Sequence, residues 1–269
     1  MKIMKSSILS LFGKNRYILM QLLRRDVVGR YRGSILGLVW SFLHPLMMLA
    51  IYTFVFTTVL KVRWAVDTEG EQGFAVILFA GLIIHGIAGE CLGRAPTLLH
   101  GNVNFVKKVV FPLEVLPVMV VLSALLHAFI GLLILFGFKL IMIGSLSWTL
   151  LLSPFVIFPY ILVMLGVSWT LAAIGVYLRD VSHIAGVLVT ALLFLSPVLY
   201  PLSVLPESLR GAAMVNPLSF IIEQLRATVI FNQQPDWVGL GVYTLIALVT
   251  AATGFMVFQM TRKGFADVL

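Results

Sequence analysis

Residues 22–46 read LLRRDVVGRYRGSILGLVWSFLHPL. Four arginines (Arg24, Arg25, Arg30 and Arg32) crowd nine positions, and after Gly33 no Asp, Glu, Lys or Arg occurs until Lys61. The uncharged run Ser34–Leu60 is 27 residues long, more than the roughly 20 apolar residues a helix needs to cross ~30 Å of hydrocarbon. A soluble chain spreads its charge over its surface, whereas a border this abrupt marks cytoplasmic water meeting lipid. The run is too long for the apolar core of a signal peptide, and no small-residue cleavage site follows it, so it is expected to be retained.

Composition extends this reading to the whole chain. Of 269 residues, 60% are hydrophobic and 11% charged, and mean hydropathy is +1.05. Soluble domains carry about 25% charged residues, so this chain cannot cover a globular surface with polar groups. It reads as an all-α polytopic membrane protein. The net charge of +8 does not indicate nucleic acid, because the bases sit beside apolar runs rather than along a groove-binding patch. A single cysteine, Cys91, excludes an intramolecular disulfide and a multi-cysteine metal site.

Uncharged runs predict six spans: Ser34–Leu60, Gly73–Gly89, Val115–Phe138, Leu150–Val176, Val181–Tyr200 and Trp237–Thr261. With both termini cytoplasmic, the inner segments 1–33, 90–114, 177–183 and 262–269 hold eight, three, one and two Lys or Arg. The outer segments 61–72, 139–149 and 201–236 hold two, one and two. That imbalance sets the orientation. The domain division is a cytoplasmic N-terminus (1–33), a six-span domain (34–261) and a cytoplasmic tail (262–269).

Three segments depart from plain spans. Before the first, Met20, Leu23, Val27 and Tyr31 fall on one helical stripe and Lys14, Gln21, Arg25 and Arg32 on the opposite face, a pattern for an amphipathic helix lying in the interface. Arg24 and Arg30 blur that pattern. The basic cluster serves either as an anchor to anionic lipid or as a contact for a phosphate-bearing lipid substrate or a partner protein. The stretch after the fifth span is interrupted by Pro197, Pro201, Pro206, Pro217 and Pro235 yet stays apolar. It predicts either two short helices re-entering the outer leaflet or an amphipathic surface hairpin. The inner loop Arg94–Glu114, with Lys107 and Lys108 before Pro112, has room for a short helix on which a soluble partner could dock.

Catalytic signatures are missing: the sequence holds no GxxxxGK[ST], HExxH, GxSxG or DxD motif. His85 and Glu90 are five apart and face different ways, which does not make a metal site with Cys91. No acid lies inside a predicted span away from its ends, against a proton-coupled carrier; His44 and His127 at depth read as structural. Ser41, Pro45, Met48, Tyr52 and Phe56 share one face of the first helix, suited either to stacking sugar rings or to ordinary helix packing. Gly33/Gly37 and Gly89/Gly93 are spaced for close helix contact.

The stretches RYRGSILGLVWSFLHPLMMLAIYTFVF, FVKKVVFPLEVLPV, GVYLRDV (Gly175–Val181) and NPLSFIIEQLR (Asn216–Arg226) together resemble the transmembrane subunit of type-2 ABC exporters of bacterial cell-surface polysaccharides. Of that family's branches the O-antigen exporters look closest, and the likeness runs from about residue 17 to 260. The resemblance implies a homodimeric channel in the bacterial inner membrane, with two copies of a separate P-loop ATPase beneath it. That partner would hold ATP and Mg; this chain would bind no cofactor and no nucleic acid. The substrate would be a polyprenyl-pyrophosphate-linked polysaccharide. By the same resemblance, Ser41, Met48, Tyr52, Phe56, Phe194 and Tyr200 would line the channel. Arg24, Arg25, Arg30 and Arg32 would receive the substrate, with Arg24 and Arg25 leading in steering its pyrophosphate. The loop Arg94–Phe111 would couple to the ATPase, with Arg94, Asn104, Phe105, Lys107 and Lys108 as its contacts. The outer segment 201–236 would form the gate. A type-2 permease for drugs or lipids is an alternative. So is a polyprenyl-phosphate-dependent membrane enzyme, although the acids it would need (Asp26, Glu90, Glu114, Asp180) are scattered in sequence.

Overall fold

The computed structural model describes residues 15–59, 71–107, 111–144, 147–202 and 205–269. Among them there is no β-strand. The helices are α1 (Arg16–Arg30), α2 (Trp40–Thr53), α3 (Glu71–Arg94), α4 (Val103–Lys107), α5 (Val115–Ile143), α6 (Ser153–Tyr177), α7 (Val181–Leu195), α8 (Glu207–Val215), α9 (Pro217–Val229), α10 (Trp237–Thr261) and α11 (Phe265–Val268).

Among the described residues, four helical stretches are long and apolar enough to cross a membrane: Val76–Thr97, Val115–Ile141, Trp148–Tyr177 and Trp237–Val268. The chain is an integral membrane protein. The remaining two predicted spans are shorter or irregular. α2 starts only at Trp40, after a turn in which Gly33 and Gly37 have φ of 87° and 50°. It passes Pro45 and loosens into a π-helical segment, Phe54–Val59; proline removes a backbone donor, and such segments absorb the register error. Leu60 lies outside the described residues. α7 stops at Leu195, because Ser196 turns to extended backbone (ψ 154°) ahead of Pro197, so Tyr200 lies beyond the helix rather than within it.

Two further boundaries differ from expectation. α3 does not end at Gly89 but runs to Arg94, so Glu90, Cys91 and Arg94 are helical. α5 does not stop at Phe138 but carries Lys139 inside it. The Lys139 ammonium is buried and donates to the carbonyl of Val229 (2.7 Å) and to Asn232 Oδ1 (2.9 Å). The negative end of α9 solvates it there. α10 begins where the sequence places it: Asp236 Oδ1 accepts from Gly239 N at 3.0 Å and caps the helix.

α6 is the central helix, in contact with α3, α5, α7, α9 and α10. Its tightest neighbour is α10, where a Cβ added to Gly166 would collide with the carbonyl of Thr250, and one on Gly254 with the carbonyl of Gly166. Small residues allow such backbone contact in lipid, where close packing drives association. Of the pairs expected to do this, Gly33 and Gly37 form the turn and nothing lies within 4 Å of a Cβ built on Gly93, while one built on Gly89 would come within 3.4 Å of the Val189 side chain of α7. Two apolar clusters fill the bundle. One joins α3, α5, α6 and α9 through Ile84, Leu135, Tyr160, Ile221 and Leu225. The other, at the end holding the Arg94–Glu114 loop, gathers Leu19, Leu22, Leu99, Leu116, Trp169 and Phe258.

α1 lies across that loop end. Its buried residues are Leu19 and Leu22, which with Asp26 and Arg30 make a stripe at spacings of three and four. The expected apolar stripe is thereby displaced: Met20, Leu23 and Val27, together with Arg24, line an open groove against Leu126 of α5. The face that meets the bundle is mixed because its partners there are charged.

Candidate functional site

Asp26 and Arg30 stand one helical turn apart on α1, and Glu90 and Arg94 one turn apart on α3. The four interlock. Arg94 Nη2 pairs with Asp26 Oδ1, and Arg30 Nη2 with Glu90 Oε1. Arg94 Nη1 also reaches Glu90 Oε1 at 2.9 Å, and Arg30 Nη2 lies 3.5 Å from Asp26 Oδ2. α5 closes the cluster. Ser123 Oγ donates to Asp26 Oδ2 (2.8 Å) and accepts from Arg30 Nη2 (3.1 Å). In the tautomer this network requires, His127 Nδ1 donates to Glu90 Oε2 (3.0 Å) and Nε2 accepts from Tyr31 Oη (3.3 Å). Burial pushes the Asp26 carboxyl up, but hydrogen bonds from Arg94 and Ser123 and the charges of Arg94 and Arg30 outweigh it and hold the group below its ordinary value.

Above this cluster lies a cavity of about 370 Å³ between α2, α3 and α5. Ser41, Met48 and Tyr52 form its α2 wall and Phe79 and Ile83 its α3 wall, with Trp40 at one side and Arg30, Glu90 and His127 at its polar end. Three residues expected on a channel therefore share a surface with one arginine expected to receive substrate. Apolar ring faces beside a charged, hydrogen-bonding floor suit an amphipathic solute. The side chain of Phe56 lies outside the described residues. Phe194 and Tyr200 are elsewhere: Phe194 is largely exposed, and its carbonyl accepts from Tyr200 Oη at 2.8 Å.

The arginine cluster divides. Arg30 joins the network and Arg24 borders the lateral groove. Arg25 turns to the loop, donating to Asn102 Oδ1 (3.3 Å) with its guanidinium 5.5 Å from the centre of the Phe105 ring. Arg32 is exposed.

The loop is built on short turns, Ala95–Thr97 and His100–Asn102, followed by α4. Gly175 of α6 lets it pack so closely that a Cβ there would collide with Pro96. His100 Nε2 donates to the Gly175 carbonyl at 3.1 Å, and Phe105 stacks on Phe111 with centroids 4.6 Å apart. Asn104 and Lys107 are exposed on this platform, Arg94 points inward to the ion pairs, and Lys108 lies outside the described residues. Behind the platform the buried Glu114 pairs with Arg262 at 2.9 Å.

At the opposite end α9 is seated in the core by Leu218, Ile221, Ile222 and Leu225. The buried Arg226 donates to the carbonyls of Ile77 (3.1 Å) and Val198 (3.0 Å) and to Glu223 Oε1 (2.8 Å). α8 is mostly exposed and contacts α9.

The acids read as scattered are only partly so: Asp26 and Glu90 come together, Glu114 meets Arg262, and Asp180 stays exposed. The signal was present in sequence, since Asp26/Arg30 and Glu90/Arg94 are both acid-then-arginine pairs four apart, the spacing of neighbours on a helix. Both carboxylates are neutralised by arginine, and among the described residues no group of three or more His, Cys, Asp and Glu could hold a metal ion.

Known proteins share this sequence over nearly its whole length. An O-antigen export system permease protein RfbA from Myxococcus xanthus is 28% identical over 254 residues, covering 94% of this chain and 95% of that protein. One of the same name from Klebsiella pneumoniae is 24% identical over 254 residues, with the same coverage. The polysialic acid transport protein KpsM of Escherichia coli is 22% identical over 249 residues, 89% of this chain and 91% of that protein. The family description "ABC-2 type transporter" matches residues 17–230, so the chain belongs to the ABC-2 type transporter family.

Proposed function

We propose that this chain is the channel-forming subunit of an ATP-driven exporter that moves a polyprenyl-pyrophosphate-linked, O-antigen-like polysaccharide from cytoplasm to periplasm. The observation that carries the reading is the end-to-end similarity to two permeases named for O-antigen export and to a polysialic acid transporter. In this reading the chain crosses the bacterial inner membrane six times, α2 and α7 being the two crossings that are short or irregular, and both termini are cytoplasmic. It works as a homodimer with two copies of a separate P-loop ATPase, which holds the ATP and Mg.

The features described above fit those roles. The platform formed by Asn104, Phe105 and Lys107, stiffened by the Phe105–Phe111 stack, offers the ATPase a small, firm contact. The cavity wall of Ser41, Met48 and Tyr52 offers aromatic and hydroxyl groups to sugar rings. An anionic pyrophosphate arriving at α1 would meet Arg24 and Arg25, and charge-assisted hydrogen bonds would hold it. The outer helices α8 and α9 make a gate at membrane depth.

Affinity purification of the tagged chain from mildly solubilised native membranes tests the reading. A stoichiometric P-loop ATPase is expected to co-purify and to be lost when Asn104, Phe105 and Lys107 are replaced together. A homo-oligomer without any ATPase would overturn it.

A further inference from the structure

The two acid–arginine pairs run in opposite order along facing helices, so Asp26 meets Arg94 while Arg30 meets Glu90. Arg94 is also the last residue of α3, and Ala95 opens the loop. A second attachment starts from the neighbouring residue, where Arg25 holds Asn102 and covers Phe105. On the same side Leu19 and Leu22 are buried with loop residue Leu99. α1 is therefore fastened at its loop end by the ion pairs to α3, by the Arg25 contacts to the loop and by packing on α5.

Its connection to α2 is different in kind. Gly33 and Gly37 adopt left-handed φ values, and nothing lies within 4 Å of a Cβ built on either. Between them Ile35 and Leu36 are exposed. α2 itself buries only Ser41 and Leu49. A chain fixed firmly on one side and joined through an unpacked glycine turn on the other has its hinge at the turn.

We infer that Asp26, Arg30, Glu90 and Arg94 are positioning residues for export: they clasp α1 to the loop end of α3, with α5 closing the clasp through Ser123 and His127, so that these inner ends move as one body, against which α2, a wall of the cavity, swings about the Gly33–Gly37 turn. This rests on the ATP-driven reading above, and gives it a route from the ATPase contact to the substrate path. Arg30 and Glu90 also line the polar end of the cavity; the part played by the clasp is to keep a displacement at the loop end from being lost before it reaches α2. Breaking one partner of a partly buried pair strands the other, so the clasp fails when any of the four is removed.

The test places cysteines at both ends of one pair (Asp26→Cys with Arg94→Cys) in a Cys91→Ser chain assembled with its ATPase. A short bifunctional thiol reagent then rejoins them. Before bridging, ATP hydrolysis is expected to persist while surface polysaccharide falls by about tenfold or more, a loss worth ~1.4 kcal/mol per decade. After bridging, export is expected to return to within about twofold of the Cys91→Ser parent. Export equal to the parent before bridging, or no recovery after it, would overturn the clasp. A second variant guards against misassembly: Arg30→Glu is expected to lose export, and inverting the whole cluster (Asp26→Arg, Arg30→Glu, Glu90→Arg, Arg94→Glu), which keeps every Arg–carboxylate pair, to recover part of it, whereas no recovery over Arg30→Glu alone would count against the clasp. If the Cys91→Ser parent neither binds an ATPase nor supports export, the transport reading itself fails, and the clasp's role falls with it.

Discussion

The guanidinium of Arg226 donates through Nε to the carbonyl of Ile77 at 3.1 Å, across 149 positions of sequence. It joins α9 to the start of the α3 span. Its other nitrogens hold Val198 and Glu223, so a planar fork satisfies three acceptors in a buried place. Lysine cannot reproduce that geometry. Replacing Arg226 with leucine is expected to cost about 3–5 kcal/mol, the scale of a buried charge network losing one member. Arg226→Lys should recover only part of it. Thermal unfolding of the detergent-solubilised protein measures both, and a leucine variant as stable as the parent would remove Arg226 from the account.

Gly175 governs the loop. Because its Cβ would strike Pro96, Gly175→Leu must push the Ala95–Thr97 turn away from α6 and weaken the bond from His100. The expectation is normal membrane insertion with lower ATPase recovery in affinity purification, by about tenfold if the contact loses ~1.4 kcal/mol. Gly137, with nothing within 4 Å of its Cβ position, provides the control substitution, and Gly137→Ala should leave recovery unchanged.

The cavity has its own test at Gly86, which lines it and has nothing within 4 Å of an added Cβ. Gly86→Phe starts from a Cβ position free of contacts and sends its ring into this space. Export should drop while ATP hydrolysis continues. Undiminished export would take the cavity off the substrate path.

Much of the fold was legible in the sequence because lipid imposes simple rules. Charges end apolar runs, prolines end α7, and Asp236 opens α10 at the expected residue. The rest was hidden by compensation. Glu90 and Arg94 read as loop residues because a charge in a span is costly, yet each neutralises a group on α1 and the helix runs through both. Lys139 read as a boundary for the same reason, although carbonyls at the end of α9 solvate it. Similarly, spacing alone could not distinguish glycines that touch another backbone (Gly166, Gly254) from those that only turn the chain (Gly33, Gly37). Of the site, the α2 face carrying Ser41, Met48 and Tyr52 was visible as a stripe. The meeting of Asp26 with Arg94 was not, because it depends on how α1 lies across the bundle.

Acidity probes that meeting. The Asp26 carboxyl is held below its ordinary value in the folded chain, so its stabilising contribution is complete above the unfolded-state pKa of about 3.9. That contribution is lost only as pH falls through the lower folded value. α1 should therefore stay clasped at neutral and mildly acidic pH and loosen below about 4. Spin-label distances from α1 to α5 in detergent would follow this, and release of the Asp26–Arg94 contact near neutral pH would contradict it.

Export is tested by where the lipid-linked polysaccharide resides when this chain is removed from its native cells. Surface polysaccharide is expected to disappear, polyprenyl-pyrophosphate-linked glycan to accumulate on the cytoplasmic face, and restoring the chain to reverse both. Unchanged surface polysaccharide in cells lacking the chain would contradict it.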